Sequence, residues 1–264
     1  MNSKKSCLIT GATGLIGREV LKRIDYSQMD VYVICRSKPS NAIEGVNYIC
    51  QDLSANPEMD RLPPQVDIII HMAQSENYKF FPAYAREMFD VNTNSTVNLL
   101  EYARSAGVKN FIFISSGGVY GNSAEPLTED SDLILKPRGF YLGTKLCSEI
   151  FVREYKDFFK TIIMRPFFVY GPGQKSGMLI PRLINNIKEN NPIELAGNNG
   201  ITINPLYVTE AASAIIEAMS MEESIDINIA GPENITLREI CNVIGRLVGV
   251  EPVFKFNDDM KAEN

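Results

Sequence analysis

The chain has 264 residues, 26 Lys and Arg against 32 Asp and Glu, a net charge of −6, five Cys, one His and no Trp. That length allows one or two domains and a sizeable core. The acidic balance excludes a general nucleic-acid binder, which needs a basic face. A single His excludes a His-rich metal centre, and 45% hydrophobic residues exclude disorder.

Short apolar runs alternate with longer helical patterns along the first part of the chain. The runs lie at residues 7–10, 31–35, 46–50, 67–72, 111–115 and 161–164. They are nearly continuous in Val, Ile, Phe and Cys, as in strands covered by helices on both faces. Helix-like spacing occupies residues 15–24, 83–106 and 141–159. The alternation predicts an α/β fold, a Rossmann-like, doubly wound parallel sheet. After Arg165 the pattern loosens around Pro166, Gly171, Pro172, Gly173 and Gly177. Helices are expected near 178–190, 209–219 and 237–248, and short strands near 193–196, 206–208 and 225–229. The expected organisation is a dinucleotide-binding domain over residues 1–165 and a small substrate-binding lobe over 166–264.

The first run leads into Thr10-Gly11-Ala12-Thr13-Gly14-Leu15-Ile16-Gly17-Arg18. Glycines spaced in this way, between a buried strand and a helix, let backbone approach a pyrophosphate. The helix N-terminus then supplies N–H donors and positive potential. The second run ends Cys35-Arg36-Ser37-Lys38, without the carboxylate that reads the ribose 2′-hydroxyl of NAD. Arg36 and Lys38 suit a 2′-phosphate, with Ser37 as a further donor, so NADP is expected over NAD. The alternative is that Arg36 stacks on the adenine of NAD. Asp52, after the third run, either accepts from the adenine amino group or only forms a turn.

Further on stand Ser115-Ser116-Gly117-Gly118-Val119-Tyr120-Gly121 and Tyr141-Leu142-Gly143-Thr144-Lys145. Residues four apart share a helix face, which puts an ammonium beside a phenol. A neighbouring cation favours the phenolate and suits Tyr141 to proton transfer. A strand-end Ser hydroxyl can hydrogen-bond the reacting oxygen.

Together these motifs resemble the extended short-chain dehydrogenases/reductases of the NAD-dependent epimerase/dehydratase (nucleotide-sugar) group. The resemblance also covers His71-Met72-Ala73, Asn92-x-x-Ser95-Thr96-x-Asn98-Leu99-Leu100, Arg165-Pro166-x-x-Val169-Tyr170-Gly171-Pro172-Gly173 and Ala230-Gly231-Pro232-Glu233-x-x-Thr236-Leu237. It implies Tyr141 as acid/base, Lys145 as its partner and Ser116 as the catalytic hydroxyl. It implies cofactor contacts from Gly11, Thr13, Gly14, Leu15, Ile16, Gly17, Arg36, Ser37, Asp52, Leu53, Ala73, Asn92, Tyr141, Lys145 and Pro166. Substrate contacts are expected from Ser116, Gly117, Phe168 and Arg182. His71 is expected to be structural. Phe80, Phe81, Phe167, Phe168 and Met178 either line a pocket or pack the core.

Family dehydratases carry an Asp-Glu pair where this chain has Gly117-Gly118, so water elimination is not expected. The expected activity is that of a nucleotide-sugar 4-ketoreductase. The alternatives are an epimerase with tightly bound NAD and a dinucleotide-binding protein without catalysis. The resemblance implies a homodimer through residues 83–106 and 141–159. Cysteines at 7, 35, 50, 147 and 241 have neither zinc nor Cys-x-x-Cys spacing, which suggests small core residues of a reduced protein. The first apolar run is too short for a signal peptide and none reaches ~18 residues, so no membrane span and a cytoplasmic location are expected.

Overall fold

The computed structural model describes residues 4–55, 57–121, 123, 125–133 and 139–257. In chain order the strands are Lys5–Thr10 (β1), Met29–Cys35 (β2), Val46–Cys50 (β3), Ile68–His71 (β4), Asn110–Ile114 (β5), Lys160–Pro166 (β6), Val169–Tyr170 (β7), Ile193–Ala196 (β8), Thr202–Ile203 (β9), Leu206–Tyr207 (β10), Ile225–Ile229 (β11), Ile235–Thr236 (β12) and Phe254–Asn257 (β13). The α-helices are Leu15–Leu21 (α1), Ala85–Phe89 (α2), Ser95–Ser105 (α3), Phe140–Glu154 (α4), Leu179–Lys188 (α5), Val208–Ala218 (α6) and Leu237–Val248 (α7).

Seven strands form one sheet in the order β11-β6-β5-β4-β1-β2-β3. Every pairing in it is parallel. This is the doubly wound order, with the chain reversing direction across the sheet beside β1. The apolar runs become two-faced strands because alternate residues enter different cores. Cys7, Ile9, Val31, Val33, Ile68, Ile70 and Ile112 pack with α1 and α6 on one face. Leu8, Ile34, Ile69, Phe111, Phe113 and Ile163 pack with α3 and Val152 of α4 on the other. Each such side chain contributes ~1.5–3 kcal/mol by leaving water.

Among the described residues two compact units emerge: 4–55, 57–121, 128–133, 139–166 and 209–229 in the first, and 123, 125–127, 167–208 and 230–257 in the second. Residues 209–229 group with the first unit, although the sequence pattern put them after the loosening at Pro166. The reason is local: β11 continues the sheet beside β6, and Ala212, Ile215 and Ala218 of α6 fill the first core.

The helix expected over 83–106 is interrupted. A π turn, Asp90–Asn94, separates α2 from α3. There the Asn92 carbonyl accepts from the Thr96 hydroxyl (2.6 Å) and from the Ser148 hydroxyl of α4 (2.8 Å). Hydroxyls inserted on a backbone carbonyl are a usual cause of such a break.

In the second unit β8 pairs with β13 in parallel, and α5 and α7 cover a core of Leu183, Ile187, Ile193, Leu195, Ile240 and Ile244. Helix α7 starts with a capping box, Thr236 Oγ1 accepting from the Glu239 amide while Glu239 accepts from the Thr236 amide.

Candidate active site

The glycine loop is sterically exacting. Gly11 has φ +71°, and a Cβ there would lie 2.6 Å from the Met72 carbonyl carbon. A Cβ on Gly17 would lie 2.3 Å from the Gly11 oxygen, which fixes close packing of α1 on the loop. The Gly14 amide donates to the Gly11 carbonyl at 3.0 Å. Helix α1 begins at Gly14 with no side-chain cap and no acidic residue in its first turn. Thr13 and Gly14 are exposed, and Leu15 and Ile16 are half-buried. Such a cradle fits a dinucleotide pyrophosphate, since its close backbone packing leaves the exposed Thr13 and Gly14 at the uncapped start of α1.

At the ends of β2 and β3, Arg36 and Asp52 already have partners. Arg36 forms an ion pair with Glu76, both side chains being solvent-exposed. Ser37 is exposed. Asp52 Oδ1 accepts from the Ser54 amide and hydroxyl, each at 2.9 Å, which is the turn-forming alternative. Leu53 is buried in the second core.

The catalytic candidates come together at the ends of β4 and β5 and the start of α4. Ser116 caps a short 3-10 turn, Gly117–Tyr120, its Oγ accepting from the Gly118 amide at 3.2 Å. A Cβ on Gly118 would sit 2.7 Å from Leu142 Cδ2, so the turn lies hard against α4. The half-buried Tyr141 phenol donates to Gln74 Oε1 at 2.9 Å. Its ring lies 5.2 Å from that of Tyr78. Burial and the nearby Tyr78 raise the Tyr141 pKa, and a hydrogen bond from Ser116 opposes the rise.

Lys145 shares a helix face with Tyr141, as its spacing predicts, but its ammonium donates to the Ile114 carbonyl at 2.8 Å and sits 5.1 Å from the Phe113 ring centroid. The side chain is 1% exposed. Burial lowers its pKa from 10.5 to about 8, with Glu149 acting in the opposite sense. The Ser115 hydroxyl beside it is buried and has no hydrogen-bond partner.

Gln74 and Tyr78 are absent from the sequence-derived set. The available signal was their place just past the C-terminal end of β4, where open α/β sheets take their ligands.

Asn92 stands behind this cluster. Its Oδ1 accepts from the Ser75 amide at 2.8 Å and its Nδ2 donates to Thr144 Oγ1 at 2.9 Å. Thr144 in turn donates to the Tyr141 carbonyl at 2.7 Å. Both ends of the amide are therefore engaged by protein, and Asn92 ties the post-β4 loop to the first turn of α4.

His71 is fully buried. Its Nδ1 meets Thr10 Oγ1 at 2.6 Å and its Nε2 meets Thr96 Oγ1 at 3.0 Å. Thr10 Oγ1 also accepts from the Ala73 amide at 3.1 Å. Since Thr96 donates to the Asn92 carbonyl, His71 carries its proton on Nε2 and clamps β1, β4 and α3 together. Burial, and secondarily Lys145, lower its pKa to about 3, so it stays neutral.

Arg165, 1% exposed, bonds both carboxylate oxygens of the buried Glu149 (3.1 and 2.8 Å) and also reaches Asp226 at 2.8 Å. Pro166 follows it, half-buried.

Among the other expected contacts, Phe168 lies in the second unit with φ +39° and 49% exposure. Arg182 is exposed on α5. Phe80 and Phe81 are exposed, and Phe81 stacks on Phe140 at 5.3 Å. Phe167 and Met178 are half-buried. Among the described residues, no group of three or more His, Cys, Asp or Glu could hold a metal ion, and no helix is long and apolar enough to cross a membrane.

A parallel sheet with a glycine cradle after β1 and a Ser/Tyr/Lys set beyond β5 defines an enzyme of the short-chain dehydrogenase/reductase type. The sequence matches the NAD dependent epimerase/dehydratase family over residues 7–230, and the chain belongs to that family of nucleotide-sugar-modifying enzymes. It is 24% identical to a dTDP-4-dehydro-6-deoxy-D-allose reductase of a Streptomyces species, over 93% of this chain and 82% of the relative. It is also 24% identical to a probable UDP-glucuronate 4-epimerase of Rhizobium meliloti, over 87% of this chain and 72% of the relative. The crystal structure of a UDP-glucuronic acid 4-epimerase from Bacillus cereus, in complex with UDP-glucuronic acid and NAD, superposes with a TM-score of 0.82. It is 25% identical and is matched over 98% of this chain and 88% of that one.

These findings overturn the expectation of NADP. The family is NAD-dependent and that structural neighbour holds NAD. The physical reason is at Arg36. Read from sequence, Arg36 and Lys38, with Ser37 as a further donor, made a 2′-phosphate site, but Arg36 is paired with Glu76, whose carboxylate repels a second anion, and Lys38 lies over the Tyr48 ring at 5.9 Å.

Proposed function

We propose that the chain is an NAD-dependent nucleotide-sugar epimerase that inverts a carbinol carbon through a transient ketone. The observation that carries this reading is the Tyr141 phenol, which donates to Gln74 Oε1 at the sheet end that also carries Ser116 and the glycine cradle. Bound NAD supplies the hydride acceptor and donor. The chain supplies the rest. Ser116 Oγ holds the reacting oxygen, and Tyr141 Oη takes its proton and returns it. Lys145 is the proposed partner on the same helix face, its ammonium held on the Ile114 carbonyl at the end of the strand that leads into Ser116.

Gly11, Thr13, Gly14, Leu15, Ile16 and Gly17 cradle the pyrophosphate. Ser37, Asp52 and Leu53 border the adenosine end, where Arg36 is left the adenine face. Ala73 and Pro166 border the nicotinamide end. Asn92 acts as a positioning residue through Thr144. Gly117 is the proposed sugar contact in the first unit.

Epimerisation is favoured over ketoreduction because the Arg36–Glu76 pair suits a retained NAD better than exchanging NADPH. Glycines at 117 and 118 leave no acid/base pair for dehydration. The 4-ketoreductase reading rests on the Streptomyces relative, a reductase. Mass analysis of nucleotide released from purified protein tests the choice. Retained NAD near one per chain supports epimerisation; an empty protein that consumes NADPH with a 4-keto sugar contradicts it.

A second copy of the chain is the proposed partner of the α2–α4 face. Phe89, Ile150 and Phe151 are exposed there, and a groove of about 520 Å³ runs between Phe81, Phe89, Phe140 and Cys147. Large apolar side chains left in water mark association surfaces. Sedimentation equilibrium should give a dimer, and Phe151→Glu a monomer; a monomeric parent protein would contradict this.

A further inference from the structure

Cys35 and Cys50 end neighbouring parallel strands and are direct register partners. Both side chains point to the same face of the sheet. Val31, Val33 and Cys35 of β2 enter the first core, and Val46 and Tyr48 of β3 pack against it, which puts Cys50 on that face by the strand period of two. Paired strands run ~4.8 Å apart, within the ~4.4–6.8 Å Cα separation that a disulfide spans. Their accessibility differs: Cys50 is exposed on the edge strand, and Cys35 is buried.

We propose that Cys35 and Cys50 form a reversible dithiol/disulfide site, open to low-molecular-weight disulfides and gated by the dinucleotide. The second clause rests on the cofactor reading above. Cys35 leads directly into Arg36 and Ser37, and Cys50 leads through Gln51 into Asp52 and Leu53, so a bridge would tie together the two loops at the adenosine end.

The exposed Cys50 thiolate attacks a disulfide RSSR, forming Cys50–S–S–R and releasing one RS⁻. Cys35 then loses its proton and attacks the Cys50 sulfur, forming the protein disulfide and releasing a second RS⁻. Two cysteines are oxidised, one RSSR is reduced to two thiols, and two protons leave. Burial, reinforced by Cys50, pushes the Cys35 thiol up to about 11, which makes the second step the slow one.

The test uses the full chain with Cys147→Ser, because Cys147 is the other exposed thiol. Oxidised glutathione should remove two free thiols, lower the intact mass by two hydrogens, give a linked 35–50 peptide and be reversed by dithiothreitol. Cys35→Ser in the same background should instead accumulate one glutathione adduct at Cys50. Phenylarsine oxide, which needs two thiols within reach, should bind the Cys147→Ser protein one to one, without any change at the pair itself.

A stable glutathione adduct on Cys50 with Cys35 still free, or no arsenical binding, would overturn the site. Bound NAD should slow bridging several-fold; NAD that binds by calorimetry and leaves the rate unchanged would overturn the gating. Absence of NAD binding would instead count against the cofactor reading, while bridging measured without NAD still decides the site.

Discussion

Lys145 is a charge kept in the core at the expense of stability, and Lys145→Met should reveal that. The drop of its pKa from 10.5 to about 8 corresponds to about 3 kcal/mol of penalty for the buried ammonium, at ~1.36 kcal/mol per pH unit. Methionine removes this penalty but leaves the Ile114 carbonyl without its donor at 2.8 Å, which costs about 1–3 kcal/mol. Glu149 keeps its bonds to Arg165 and Arg153. The variant should therefore be as stable as the parent near neutrality, or up to about 2 kcal/mol more stable, while losing activity.

The pH dependence isolates the charge. Between the folded and unfolded pKa values the unfolded chain binds the extra proton, so the parent gains stability as pH rises from about 8 towards 10.5. Urea unfolding of both proteins at neutral and alkaline pH should show the parent gaining about 2–3 kcal/mol on the variant. A Lys145→Met protein several kcal/mol less stable at neutrality, or a difference that does not change with pH, would refute the reasoning.

Four further outcomes follow from the site. Tyr141→Phe should lower kcat by ~10²–10⁴ with NAD content unchanged, checked by steady-state kinetics and released nucleotide. Gln74→Leu removes the phenol's 2.9 Å acceptor and should cost about 1 kcal/mol, roughly fivefold in kcat. Glu76→Gln frees Arg36 and should raise NADP affinity about tenfold, the worth of one charge-assisted hydrogen bond, with NAD affinity nearly constant by calorimetry. Arg165→Met leaves Glu149, itself fully buried, short of charge compensation and should destabilise the fold by about 3–5 kcal/mol in urea unfolding.

What the sequence made legible were features set by local pattern. The six runs fall on β1 to β6 because strands covered on both faces need continuous apolar residues. The glycine triplet is readable because each position answers a backbone demand: a positive φ at Gly11, and contact with the Gly11 oxygen at Gly17. The i,i+4 spacing placed Tyr141 and Lys145 on one helix face, while Ser116 was singled out by the family resemblance.

What stayed hidden depends on partners remote in the chain. Arg36 looked like a phosphate site until Glu76, 40 residues on, was seen to hold it. The i,i+4 rule put Lys145 on the right face of α4 but could not say that its long side chain reaches the Ile114 carbonyl. Asn92 was expected at the cofactor from the family resemblance, and in the fold the π turn directs its amide to Ser75 and Thr144. Gln74 sits in a loop with no period to mark it. Strand β11 was visible as a strand, but its place beside β6 is a fact of topology that a linear pattern does not carry.

The central claim is that one retained NAD and Tyr141 together invert a carbinol carbon of a nucleotide sugar. Its most direct test gives the purified protein, with no added cofactor or reductant, UDP-glucuronic acid and UDP-glucose deuterated at C4, and follows the products by NMR. The account predicts the C4 epimer of one of them with the deuterium still at C4, and no such product from Tyr141→Phe. Loss of the deuterium to solvent, or turnover only when NADPH is added with a 4-keto sugar, would contradict it.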